Sequence, residues 1–184
     1  MNSITKKVIA RARKLGIATA VEFDTSLLVP QQAIRAYCVE NKCGKYKNHY
    51  MCPPYSGTVA ENAAMLRHYR NGILFQYEKP LEVAHDADGL AQSKLEFHSK
   101  ILELEKLIKD SGASPVLGII GGSCELCSLC KATTGEPCAH PEDARISLES
   151  MAIDVMALLN HLGLESEFRP DRIKWTGCII FNIT

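Results

Sequence analysis

A chain of 184 residues with 46% hydrophobic side chains can bury a sizeable core, and its length predicts one domain spanning 1–184. Lys+Arg and Asp+Glu balance at 21 each, which argues against nucleic acid as a partner, and no apolar run approaches the ~18 residues that span a bilayer. Eight cysteines, about 4% of the chain, fall below the ~8–10% of a disulfide scaffold; with no secretory h-region after Met1, the expectation is a cytoplasmic protein whose reduced thiols serve metals or catalysis.

Helix and strand signals alternate along the chain. Ile4, Val8, Ala12 and Leu15 share a helical face that ends at Gly16, and Ile17 to Phe23 reads as a strand. Thr58-x-x-Glu61 is a capping box that opens a helix carrying Val59, Ala63 and Leu66, closed by Asn71-Gly72. Ile73 to Tyr77 is the next strand, followed by a polar loop from Glu78 to Gly89. Phe97, Ile101, Leu104 and Ile108 then mark a longer helix ended by Gly112. Pro115 to Ile120 reads as a buried strand running into Gly121-Gly122. Ser147 is placed to cap a helix with Leu148, Met151, Val155, Leu158 and Leu162 inward, ended by Gly163, and two short strands are expected at Leu164–Phe168 and Gly177–Phe181. The pattern predicts an α/β fold: a layered sheet with flanking helices and two cysteine-rich metal-binding loops, 38–55 and 121–141, gathered at one end of the sheet. Strand order and direction stay open.

Seven of the eight cysteines fall in two groups. The first is Cys38-x4-Cys43-x8-Cys52; the second is Cys124-x2-Cys127-x2-Cys130-x7-Cys138. Thiolates are soft ligands that favour zinc, copper(I) and iron–sulfur clusters. Three cysteines at successive x2 steps suit a loop wrapped around a [4Fe-4S] cluster, as in bacterial ferredoxins, whereas zinc knuckles usually use two separated pairs. Gly121-Gly122-Ser123 is expected to turn backbone N–H groups toward these sulfurs. The first group supplies three thiols, so its fourth ligand is Cys178, His49 or a small molecule; a zinc site completed by His49 is the alternative to a second cluster. Lys42, Lys45 and Lys47 lie inside this loop, where they offset the charge of a thiolate-ligated cluster, bind an anionic ligand or a partner's acidic face, or form a solvated basic loop.

Other residues carry weaker signals. His140 is a candidate outer ligand or a polar loop contact, Asp154 a helical residue that faces solvent, the metal end or a loop it hydrogen-bonds, and Trp175 a core residue or a cluster shield. Tyr46, Tyr50 and Tyr55 interleave with the first group. No phosphate loop, nucleophile elbow or dinucleotide fingerprint occurs.

The phrase Cys43-Gly44-x-Tyr46…Cys52-Pro53-Pro54-Tyr55, joined to Cys124-x2-Cys127-x2-Cys130 and Cys138-x2-Pro141, resembles the DUF2284 family of metal-binding proteins, over roughly residues 36–163. The resemblance implies that Cys38, Cys43, Cys52, Cys124, Cys127, Cys130 and Cys138 are ligands. It implies a family found mainly in anaerobes, of unsettled function, and names no reaction. Three functions follow as expectations: an iron–sulfur protein passing electrons to a redox partner protein, an iron–sulfur enzyme with an open iron at the first group, or a zinc-stabilised interaction module.

Overall fold

The computed structural model describes residues 1–183. Its centre is a four-stranded antiparallel sheet in the order β1-β2-β4-β3, formed by β1 (Thr19–Phe23), β2 (Asn71–Pro80), β3 (Ala113–Ile119) and β4 (Arg172–Ile183). Strands β2 and β4 pair over their whole shared length, from Asn71 opposite Phe181 to Pro80 opposite Arg172. The fold is α/β, as expected.

Both faces of the sheet are covered, which explains the unbroken apolar run Cys178 to Phe181 in β4. Side chains alternate along a strand. Ile73, Phe75, Ile179 and Phe181 therefore enter one core with Val8 and Ala12 of α1 (Ser3–Lys14) and with Phe97, Ile101, Leu104 and Ile108 of α4 (Ala87–Asp110). Leu74, Cys178 and Ile180 enter the opposite core with Leu66 of α3 (Val59–Leu66) and with Leu158 and Leu159 of α5 (Val155–His161). The Thr58–Glu61 capping box forms as its spacing predicts. Two glycines permit close strand approach at the β3 end of the sheet. A Cβ on Gly177 would sit 2.5 Å from the Ile119 carbonyl oxygen, and one on Gly121 would sit 2.6 Å from that of Thr176.

Several elements depart from expectation: α3 ends at Leu66, so Asn71-Gly72 open β2 and do not close that helix, and β4 runs from Arg172 to Ile183 where only Gly177–Phe181 was expected. A short helix, α2 (Gln32–Val39), precedes the first cysteine loop and carries Cys38. The single helix expected from Ser147 is instead a turn over 147–152, with Ala152 at φ 67°, followed by α5. Asp154 is the N-cap of α5 and accepts from the Ala157 N–H at 2.9 Å, so it is not a mid-helix residue. The break brings Leu148, Met151 and Ile153 into the second core together with Leu158 and Leu159. Nor do residues 164–168 form a strand: β4 is already paired on both edges, by β2 and β3, and Phe168 is 89% exposed.

Candidate metal centres

The second cysteine group leaves the end of β3 as an irregular loop. Cys124 is buried in the core under α1 and α4; Cys127, Cys130 and Cys138 are half-buried. All four line one small cavity, together with His49, Met51, Leu126 and His140. A 3-10 turn, Lys131–Thr133, follows Cys130, and Gly135 at φ 72° bends the chain back toward Cys138. Burial pushes the Cys124 thiol up, while the N–H groups of Leu126 and Arg145 oppose that shift. Those two amides serve the Cys124 sulfur, and the Gly122 N–H serves the Glu149 carboxyl.

The return segment is anchored to α4. Arg145 pairs with Glu105 at 2.7 Å, and Glu105 also takes the Gly118 N–H at 3.1 Å and Lys109 at 2.6 Å. Burial alone would raise the Glu105 carboxyl, but Arg145 and Lys109 hold it below its ordinary value. His98 Nε2 donates to the Asp143 carbonyl at 2.8 Å.

The first group is assembled from α2, the following turn and the 147–152 turn. The Cys38 thiol donates to the Glu149 carbonyl at 3.9 Å, and the Ser150 hydroxyl donates to Cys52 Sγ at 3.7 Å. Burial pushes Cys52 up to about 11 and raises Cys38, while the Arg35 guanidinium beside Cys38 works against the rise there. Cys43 is exposed. Charge on any one of these three thiols disfavours charge on its neighbours, so they share one electrostatic environment. The cation beside them is Arg35, held by the Gly57 carbonyl at 3.0 Å. Of the loop lysines, Lys42 pairs with exposed Glu40 and Lys47 lies over the Tyr46 ring, while Lys45 pairs with Glu125 and its charge also favours the thiolate form of Cys52.

The two loops touch. Lys45 of the first and Lys94 of α4 converge on Glu125 of the second, at 3.4 and 3.2 Å. The Tyr50 hydroxyl donates to the Glu136 carbonyl at 2.6 Å. His49 is 5% exposed; its Nδ1 accepts from the Met51 N–H at 3.2 Å and its Nε2 donates to the Cys124 carbonyl at 2.9 Å. Both ring nitrogens are engaged, and His49 walls the second group's cavity although its sequence position suggested a ligand of the first. Cys178 sits among Leu74, Ile119 and Leu148 in the second core, with burial as the sole cause raising its thiol. Trp175 packs on the first core, its indole N–H donating to Ser93 Oγ at 2.9 Å. Tyr50 and Tyr55 meet edge to face at 5.2 Å.

Sequence reasoning missed Arg35, Glu105 and Arg145. The signal for Arg35 was its i, i+3 spacing to Cys38 on one helical face; nothing local marks the Glu105–Arg145 pair, which is 40 residues apart.

The chain matches DUF2284, described as a predicted metal-binding protein, over residues 21–181. It belongs to this family. Neither a curated protein nor a solved structure matches it. The match takes in both cysteine groups, and metal binding is the property predicted for the family. The donor set fits a soft metal in identity and number: four thiols around one cavity, and three in a second cluster. Among the described residues, no three His, Cys, Asp or Glu side chains converge on a single ion's position. In this form the raised thiols Cys38, Cys52 and Cys124 carry protons, which a metal must displace on binding. No helix among the described residues is long and apolar enough to cross a membrane.

Proposed function

We propose that this protein is an iron–sulfur electron carrier with two adjacent centres, working with a redox partner protein in the cytoplasm, as an accessory to an anaerobic redox system. Cys124, Cys127, Cys130 and Cys138 would hold a [4Fe-4S] cluster, and Cys38, Cys43 and Cys52 a second. The observation that carries the reading is the shared cavity of the four second-group thiols, with the first cysteine loop packed directly on it. The x2, x2 spacing favours a cluster over zinc. Exposed apolar side chains beside the ligands support a docking partner: Tyr37 and Val39 flank Cys38, Tyr55 follows Cys52, and Leu129 precedes Cys130. Bound clusters would supply one-electron chemistry; the chain supplies soft ligands, backbone N–H groups to Cys124, and Arg35 beside the first thiols.

A second reading, an iron–sulfur enzyme with an exchangeable position at the first group, is favoured by the commitments of the two candidate fourth ligands. Cys178 is in the core and both nitrogens of His49 are engaged. Protein purified without oxygen should be brown and contain iron and acid-labile sulfide, with an electron paramagnetic resonance signal on reduction. Stoichiometric zinc without sulfide overturns both readings. A change in the reduced spectrum on adding cyanide selects the enzyme reading.

A further inference from the structure

A cavity of about 360 Å3 opens on the second face of the sheet, between β4, α5 and residues 165–169. It lies outside both cysteine groups, and its size falls within the range of small-molecule sites. Its walls are apolar where Ile34, Val155, Met156 and Leu159 meet. Its charges are unevenly matched. The three cations on its lining are already neutralised: Arg172 by Glu78 at 2.7 Å, Arg169 by Asp171 at 3.4 Å, and Lys174 by Glu78 and Glu165. Glu149 is different. It lines the cavity and is reached by solvent, yet protein surrounds it closely enough that burial raises its carboxyl. Hydrogen bonds from the backbone and from Ser147 stabilise its charged form. No ion pair among the described residues includes it; Lys94, the cation whose charge acts on it, is bound to Glu125 at 3.2 Å. An anionic ligand would meet cations that are already satisfied and would lie against an unpaired carboxylate.

We propose that this cavity binds a small amphipathic ammonium ligand, its charged nitrogen at the Glu149 carboxylate and its apolar body along the Ile34, Val155, Met156 and Leu159 wall. A charge-assisted hydrogen bond at one end and apolar burial at the other give the site both affinity and orientation. The site also adjoins the first cysteine group: the Glu149 carbonyl accepts from Cys38, and Ile34 lies one helical turn before Cys38. It does not depend on which metal the cysteines hold.

Isothermal titration calorimetry of the anaerobically purified protein with n-hexylammonium, hexan-1-ol and hexanoate tests this. Hexylammonium should bind with one-to-one saturation, at least ten-fold more tightly than the alcohol, and hexanoate should give no saturable heat. Glu149→Gln should weaken hexylammonium at least ten-fold. Met156→Arg, at an exposed wall position, should weaken it similarly while melting like wild type. No saturable heat with hexylammonium, equal or tighter binding of the alcohol or the carboxylate, or unchanged affinity in Glu149→Gln overturns the proposal. If Glu149→Gln does not fold, unchanged affinity in Met156→Arg overturns it. Metal content is read separately, so failure here is distinct from failure of the iron–sulfur reading.

Discussion

The two cysteine groups are built in opposite ways. The second is one continuous loop whose four thiols line one cavity, closed on one side by His49, Tyr50 and Met51 of the first loop, with Cys124 in the core and its sulfur served by backbone N–H groups. The first borrows its surroundings: Cys38 comes from a helix, Cys52 from a turn, and both rest on the 147–152 turn about a hundred residues away, with Arg35 as the neighbouring cation. A centre whose four thiols come from one loop owes their grouping to local sequence, although His49 walls it and Arg145 anchors its return segment to α4. One assembled from three segments depends on the whole sheet being in place, and is the one whose coordination can be left open.

The largest test of this contrast is ligand removal. Cys43→Ser should remove about half of the iron and leave the second group's spectrum intact, whereas Cys127→Ser should remove the complementary half. Loss of all iron from Cys43→Ser would mean one shared centre or collapse of the fold; unchanged iron would mean these thiols are not ligands.

Next in size is the anchor of the second loop. Arg145→Ala leaves Glu105 buried with a weaker partner, and breaking such a pair costs about 3–5 kcal/mol. Thermal melting should show the loss. The pair also shapes the acid limb. Because Glu105 is held below its ordinary value in the folded state, its contribution is full above about pH 4.3, the unfolded carboxylate value, and is lost as pH falls toward the lower folded value. Arg145→Ala should flatten that acid-side loss; an unchanged acid limb would assign it to other carboxylates.

The clasp between the loops comes third. His49→Ala strands the Cys124 carbonyl and the Met51 N–H, at a cost of about 1–3 kcal/mol. Its metal loss should fall mainly on the second group, because His49 walls that cavity; loss confined to the first group would restore His49 as a first-group ligand. The smallest effect should be Cys178→Ala, a small truncation in an aliphatic core, expected to cost about 1 kcal/mol and leave the iron count unchanged. Iron loss in this variant would make Cys178 the fourth thiolate.

How much was legible follows the same division. The capping box at Thr58 and Glu61 and the four-three-four apolar repeat of α4 act within one turn of the chain, and they form as written. So did the grouping of Cys124 to Cys138 around one space. The 147–162 region was misread because Leu148, Met151, Leu158 and Leu162 fit a helical period, while the deciding interaction was the Asp154 side chain restarting the helix at Ala157. Residues 164–168 carry strand-like side chains, but β4, the strand next to them in sequence, is already paired on both sides by β2 and β3, a fact not written in the segment itself. His49 was assigned to the first group by proximity in sequence, whereas it lines the second group's cavity; Lys45 reaches both Glu125 of the second loop and, through its charge, Cys52 of the first.

The strand order has a consequence for biosynthesis. β4 lies between β2 and β3, so the sheet has no middle until the last strand has left the ribosome. By then both cysteine loops have been made, and seven thiols wait on a half-built protein while only Cys178 arrives with the closing strand. The first group, which needs the 147–152 turn, can form before β4, but it stays without the sheet beneath that turn until β4 has been made. Whatever delivers metal to this protein therefore meets accessible thiols early and a closed scaffold late.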